Sequence, residues 1–219
     1  MKINPAPLHI AQVVLIGLSF CFAVAIIGTA AHTLHIFNTQ QTSNPWWLPL
    51  WPQHFDTHST SALIGSAASV VVLNAVFLIF SLVPRFNPSK RPTLRVLLAL
   101  GTALPGALVT LCTVIYAHIL NHNSPEIDTI ETWTCRYKND KPLQQDMSLA
   151  SSMSNGNFGS LCTESKFALY GTLVVFLILS MSLGVSVVVW LADKWAERQR
   201  GKEWQDTNNV EMGGNVPKY

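Results

Sequence analysis

Four long apolar runs, none of which contains a charged side chain, are separated by polar segments along the chain. The runs cover residues 10–31, 62–83, 96–119 and 167–192. At 1.5 Å of rise per residue, a helix of this length crosses a hydrocarbon core of about 30 Å. The pattern therefore predicts an all-α integral membrane protein whose four membrane-spanning helices pack as a left-handed antiparallel bundle.

The first run has a second interpretation as a cleaved signal peptide, because the small residues Thr29, Ala30 and Ala31 close it. The apolar region of a signal peptide is about 7 to 15 residues long, which is shorter than this run. We therefore expect the run to remain in the protein as its first span.

The polar segments complete the predicted organisation. They are a leader (residues 1–9), a first loop (32–61), a short turn (84–95), a second loop (120–166) and a tail (193–219). The tail is polar and fades into Asn and Gly, so it predicts a short juxtamembrane helix followed by disorder.

Basic residues indicate the orientation of the spans. The short turn has no acid and carries four bases, Arg85, Lys90, Arg91 and Arg95, whereas the first loop has no Lys or Arg. Further bases follow the fourth span. Because Lys and Arg near spans are retained on the cytoplasmic side, both termini are predicted to be cytoplasmic and both loops to lie outside.

The composition agrees with this class of protein. Of the 219 residues, 49% are hydrophobic and only 12% are charged, against about 25% charged residues in soluble domains. The net charge of +2 is not gathered into a basic face, so nucleic acid is not an expected partner. The expected partners are the lipid bilayer and lateral protein neighbours, including copies of this chain, in the plasma membrane or in the secretory pathway.

Two of the four cysteines lie together in the second loop. In the predicted topology, Cys135 and Cys162 face an oxidising compartment, while Cys21 and Cys112 lie inside apolar runs. A bridge closing about 28 residues would stabilise the loop by roughly 3.5 kcal/mol in the chain-entropy model. A redox-active pair is the alternative, but such membrane proteins use Cys-x-x-Cys spacing, which the chain lacks.

Tryptophans are concentrated near the ends of the spans. The first loop reads NPWWLPLWPQHFD at its centre, where the prolines argue against a regular helix. An indole ring suits the headgroup layer, with its apolar body in lipid and its N–H in water. The predicted interface anchors are Trp46, Trp47, Trp51, Trp190 and Trp195.

The second loop contains TIETWTCRYK, which is rich in β-branched and aromatic residues. Alternation along this stretch would place Trp133, Cys135 and Tyr137 on one face of a strand. It therefore predicts a short hairpin above the membrane.

Within the spans, small residues spaced four apart predict close helix packing. The pairs are Gly65 with Ser69, Ser180 with Gly184, and Ser182 with Ser186. Asn74, an amide in the second run, is predicted to point into the bundle toward a hydroxyl or backbone partner. Pro105 predicts a kink in the third span. Asn74 and the kink together leave a small solute transporter as one alternative function.

Six of the seven histidines fall on the predicted outer side of the membrane. His118 and His122 share a helical face, and His54 and His58 share a side in either regular conformation. Two such pairs could complete a zinc or copper site, or bind haem, which gives a membrane redox protein as the other alternative. The His-His doublets of membrane di-iron oxygenases are missing, however, and imidazole is common unliganded at interfaces. We therefore expect no cofactor.

Four spans, a short basic turn and a long second loop with two cysteines resemble the layout of MARVEL-type tetraspan proteins. The segments NPWWLPLWPQHFD and SLCTESKFALY are similar in sequence to those of small fungal tetraspans. The chain departs from claudins, since Trp133 and Cys135 lie in the second loop rather than the first. The resemblance implies a non-enzymatic protein that organises membrane domains or trafficking through contacts of its spans and outer loops.

Overall fold

The computed structural model describes residues 5–42, 51, 55–83, 92–139 and 155–213. Along the chain these residues form α1 (Pro5–Thr42), β1 (Phe55–Asp56), α2 (His58–Leu82), α3 (Pro92–His122), β2 (Asp128–Thr129), α4 (Ile130–Tyr137), a 3₁₀ turn (Asn155–Asn157) and α5 (Phe158–Gly213). The leader up to residue 4, most of the short turn, and Trp46, Trp47 and His54 lie outside the described residues.

The four predicted spans are confirmed as helices. Four segments are long and apolar enough to cross a membrane: Ile10–Gln41, His58–Leu82, Val96–His122 and Phe158–Ala192. Many large apolar side chains on them are exposed, as in Val72, Leu97 and Met181. This is the surface expected of an integral membrane protein.

The four long helices form a ring in which sequence neighbours are also neighbours in space. Helix α1 packs on α2 and α5, and α3 packs on the same two helices from the other side. Their shared core includes Ile26, Val70, Ala103, Val175 and Leu179. Helices α1 and α2 are antiparallel, since Ser19 contacts Asn74 while the later Thr33 lies beside the earlier Thr60, so the bundle has two ends. We call the end with the α1–α2 and α3–α5 connections the loop end, and the opposite end the terminal end.

At the loop end, two helices continue past the predicted limits of their spans. Helix α1 runs to Thr42 rather than stopping near residue 31, and α5 begins at Phe158 rather than near residue 167. With α4 and the two-residue parallel pair β1–β2, these extensions form a small folded unit, which we call the head. Its core consists of Phe37, Trp51, Ile130, Phe158 and Leu161.

The predicted hairpin strand is wrong, because TIETWTCRYK forms α4. A capping box starts this helix: the Thr129 side chain accepts from the Thr132 amide, and the Thr132 hydroxyl accepts from the Thr129 amide. The helix also explains the apparent alternation, since Trp133 and Tyr137 are one helical turn apart, with ring centroids 4.4 Å apart. Cys135 points to a different side, toward α5.

The small-residue pairs divide into buried and exposed ones. Ser182 and Ser186 are buried in the bundle, as predicted. Gly65 and Ser69 are exposed, and so is Gly184, whose missing side chain would meet no neighbour. Packing at these exposed positions within one chain was therefore a wrong prediction.

Helix α3 is continuous from Pro92 to His122, with Pro105 inside it. The following residue, Gly106, lies against α5, and an added Cβ there would come within 3.2 Å of the Leu179 side chain. The close approach that the structure shows in this span is thus at Gly106. At the terminal end, α5 continues to Gly213, well beyond the short juxtamembrane helix predicted for the tail.

Candidate functional site at the loop end of the bundle

A small polar cavity lies where the head meets the bundle. It measures about 10 Å³, and its floor consists of Leu63 and three alanines. Its polar lining consists of Thr33, Ser59, Thr60, Asn121, Glu131 and Ser165. A space of this size holds one water-sized particle when polar groups surround it.

Each of the five helices contributes to this polar lining. Thr33 comes from α1, Ser59 and Thr60 from the first turn of α2, and Asn121 from the last turn of α3. Glu131 is in the first turn of α4, a favourable position for an acid beside the partial positive charge of the helix end. Ser165 lies on α5 where that helix passes from head to bundle. The cavity is therefore the point at which all helices converge.

Hydrogen bonds fix the Glu131 carboxylate to α3. Asn121 Nδ2 donates to Glu131 Oε2 at 2.8 Å. In turn, Asn121 Oδ1 accepts from the Thr129 hydroxyl at 2.7 Å. Both ends of the Asn121 amide are thus used, and the start of α4 is held against the end of α3.

Burial raises the pKa of the Glu131 carboxyl above its ordinary value. The Asn121 hydrogen bond and the positive charges of Lys166 and His118 lower this pKa, but they offset only part of the effect of burial.

Four of the residues that line the cavity carry a hydroxyl group. Thr33 donates its proton to the Ala30 carbonyl at 2.9 Å, and Ser165 donates to the Leu161 carbonyl at 2.7 Å. Because these protons are committed to backbone, the two oxygens remain as acceptors. Ser59 and Thr60 are only 5% and 8% exposed, and neither hydroxyl bonds to a described residue. The described lining therefore has more acceptors than donors.

Two ion pairs lie near the cavity without entering it. His32 Nδ1 is 2.7 Å from Glu164 Oε2, which links α1 to α5 at the surface. In the head, Arg136 is 3.6 Å from Asp128 and also donates to Ser124. These pairs are partly exposed, so each is worth little stability on its own.

The predicted disulfide is present. Cys135 of α4 is bonded to Cys162 of α5, with their Cα atoms 4.8 Å apart. The bridge fastens α4 to the helix that carries Ser165. It therefore holds Glu131 and Ser165 on opposite walls of one cavity.

The tryptophans predicted as interface anchors differ in their exposure. Trp51 is only 7% exposed and packs among Phe37, Phe55 and Phe158 in the head core, so its predicted headgroup position is wrong. The physical reason is that Phe37 on the α1 extension and Phe158 on α5 offer a protein surface for the ring. Trp190 and Trp195 are exposed, and their role as anchors stays a prediction.

The histidine candidates are spread over the loop end. His58, His118 and His122 are exposed and lie on α2 and α3. Within the described ranges, no three or more His, Cys, Asp or Glu side chains gather as metal ligands would. His118 is nevertheless close enough to influence Glu131 electrostatically.

Asn74 makes the interhelical bond that the sequence predicts. It is 1% exposed, and its Nδ2 donates to the Ser19 hydroxyl of α1 at 2.7 Å. The Ser19 hydroxyl in turn donates a hydrogen bond to the Ile16 carbonyl. Nearer the terminal end, Gln12 of α1 donates to Ser186 of α5 at 2.8 Å. These amides serve as links between helices.

The sequence reasoning missed Glu131, Asn121, Ser59 and Thr60. Two signals were available: Thr129 stands two residues before Glu131 and one helical turn before Trp133, and Ser59 and Thr60 lie shortly before an apolar run. Neither signal brings these residues together, because their proximity depends on the packing of separate helices.

No protein-family model, curated protein or solved structure matches this chain.

Proposed function

We propose that this chain is a non-enzymatic, multi-pass membrane protein that organises its membrane surroundings. It acts through lateral contacts of its spans and through the head. The observation that carries the proposal is the construction of the head, which is continuous with two spans through α1 and α5 and is closed by the Cys135–Cys162 bond. A partner that contacts the head therefore also controls the position of the bundle.

The interior of the bundle supports this role over transport. Asn74 and Gln12 are both buried and bonded to serines of neighbouring helices. A buried amide with a fixed partner stabilises helix association. The outward surface of the spans is apolar, so it suits lipid and the spans of other proteins.

The distribution of basic residues gives the proposed orientation, with the termini in the cytoplasm and the head outside. A MARVEL-like tetraspan of the plasma membrane or the secretory pathway is the class that we propose on this layout. Its partners are lateral membrane proteins or further copies of this chain.

The experiment compares the distribution of tagged protein in the cell membrane for matched cysteine variants. Wild-type protein is expected to gather in discrete patches. The double variant Cys135→Ser, Cys162→Ser removes the disulfide that fastens α4 to α5. The patches should then disperse. The control is Cys21→Ala, Cys112→Ala, which removes two exposed cysteines from the spans and should leave the patches unchanged.

Uniform distribution of the wild-type protein would contradict the organising role. So would patches that persist unchanged in the Cys135→Ser, Cys162→Ser variant. A solute flux in liposomes that vanishes with Asn74→Leu would instead favour the transporter.

A further inference from the structure

The cavity below the head has the composition of a cation site. Its described lining contains one carboxylate and four hydroxyl oxygens, from Glu131, Thr33, Ser59, Thr60 and Ser165. Hard cations bind through oxygen ligands of these types. Transition metals prefer imidazole and thiolate, neither of which lines this cavity.

Charge and size narrow the choice of ligand. A carboxylate removed from water needs a positive partner or strong hydrogen bonds. The nearby positive groups, Lys166 of α5 and His118 of α3, are exposed, so water screens their charge. Asn121 bonds one carboxylate oxygen, Glu131 Oε2, and within the described residues no hydrogen bond joins the other oxygen to a neighbouring side chain. A single negative charge in a space of about 10 Å³ matches one small monovalent ion.

We propose that this cavity binds a small monovalent cation, with Na⁺ as its best match, between the Glu131 carboxylate and the hydroxyls of Ser59, Thr60, Thr33 and Ser165. The second observation that points to a ligand is that Ser59 and Thr60 are nearly buried residues whose hydroxyls bond to no described residue. Once bound, the ion links α1, α2, α4 and α5 directly and α3 through Asn121. It therefore clamps the head onto the bundle, a property that does not rest on the proposed organising role.

The test uses the full chain in lipid nanodiscs. Thermal unfolding is measured in NaCl, KCl, NH₄Cl and choline chloride at equal ionic strength. Na⁺ should raise the unfolding midpoint over choline, with a further rise on the order of 3 °C for each tenfold increase in Na⁺ above its dissociation constant. Radiolabelled Na⁺ should bind one ion per chain and be displaced by unlabelled Na⁺.

Variants separate the site from general salt effects. Glu131→Gln keeps the shape of the side chain but removes its charge, so it should abolish both the Na⁺-dependent shift and the bound label. Thr60→Val, which exchanges a hydroxyl for a methyl, should weaken both and keeps the test valid if Glu131→Gln does not fold. The control Glu164→Gln removes an acid of the His32 pair and should retain the full Na⁺ response.

Equal midpoints in Na⁺ and choline, together with no specifically bound label, would overturn the proposal and leave a cavity that holds only water. A Na⁺ response that survives in both Glu131→Gln and Thr60→Val would overturn it as well. A larger shift with K⁺ or NH₄⁺ than with Na⁺ would overturn the choice of ion. The patch distribution of the protein is a separate measurement, so either proposal can fail alone.

Discussion

Inside the bundle, single polar side chains meet in pairs that join two helices. The Asn74 amide and the Ser19 hydroxyl are the clearest case, because both residues are almost completely buried. Such bonds in membrane proteins average about 0.6 kcal/mol and reach about 1.7 kcal/mol. The value stays modest because the unfolded chain in the membrane also finds polar partners.

A double-mutant cycle with Asn74→Ala and Ser19→Ala should give a coupling free energy of about 0.6 to 1.7 kcal/mol. The measurement is reversible unfolding of the protein in mixed micelles. The control is Ser69→Ala, whose exposed hydroxyl bonds only within α2 and should change stability by less than about 0.5 kcal/mol. Zero coupling would mean that the pair is not formed in the membrane.

The raised pKa of Glu131 predicts a pH dependence of stability in choline chloride, where no small cation competes with the proton for the carboxylate. The folded state holds the proton more tightly than the unfolded state, so this group stabilises the fold below its unfolded pKa, near 4.5. That contribution is lost as the pH rises through the raised folded pKa. Stability should therefore fall between these two values as pH increases, while Lys166 and His118 reduce the size of the effect.

The comparison with Glu131→Gln isolates this contribution. The variant has no carboxyl to titrate, so its stability should change less across the same pH interval. The pH dependence of the difference in unfolding midpoint between wild type and variant is the measurement. A constant difference would show that Glu131 titrates alike in both states.

At the level of elements, α4 depends on its first turn. The reciprocal bonds of Thr129 and Thr132 satisfy amides that the helix itself leaves unpaired. Thr132→Val removes one side of this box and should cost about 1 kcal/mol of head stability. Hydrogen exchange should then be faster for the amides of α4 than for those of α2.

The matched control for that variant is Thr163→Val on α5. Its exposed hydroxyl bonds only to the Gly159 carbonyl within the same helix. Removing this hydroxyl should leave exchange in α4 unchanged. Equal acceleration by both variants would contradict a specific role for the capping box.

The elements that the sequence predicts well are those determined by local hydrophobicity. The four spans follow from the length of the apolar runs, and the inward position of Asn74 follows from the cost of an amide in lipid. The Cys135–Cys162 bond follows from the predicted location of both cysteines on the same side of the membrane. The run around Trp133 is different, because its spacing fits both an alternating strand and a helical turn. Only the Thr129–Thr132 cap and the bond to α5 distinguish the two.

The head and its cavity could not be predicted in this way. Phe37, Trp51 and Phe158 lie in separate segments of the sequence, and their common core depends on helices that extend beyond their predicted spans. An apolar run marks where lipid ends, but a helix ends where its hydrogen bonds and packing end. For the same reason Glu131 looked like an ordinary loop acid.

At the scale of the whole molecule, the orientation in the membrane is testable with two exposed positions. Glu126 lies at the loop end and Lys194 follows the fourth span toward the terminal end. In a Cys21→Ala, Cys112→Ala background, Glu126→Cys should react with a membrane-impermeant maleimide on intact cells. In the proposed topology, Lys194→Cys should react only after permeabilisation, because Lys and Arg near spans are retained on the cytoplasmic side.

The background without either added cysteine controls for unspecific labelling, since its remaining cysteines are joined in the disulfide. The reverse pattern, with Lys194→Cys labelled on intact cells, would invert the proposed topology. The fold of the bundle and the head would be unaffected, but the head would face the cytoplasm.

Helix α5 also has a mechanical consequence. Its 56 residues form one helix, which is about 84 Å long at 1.5 Å per residue. The disulfide fastens this helix near one end, within the head. In the proposed topology the bilayer surrounds the middle of the helix, so a sideways force on the head would tilt the helix and displace its opposite end in the other direction.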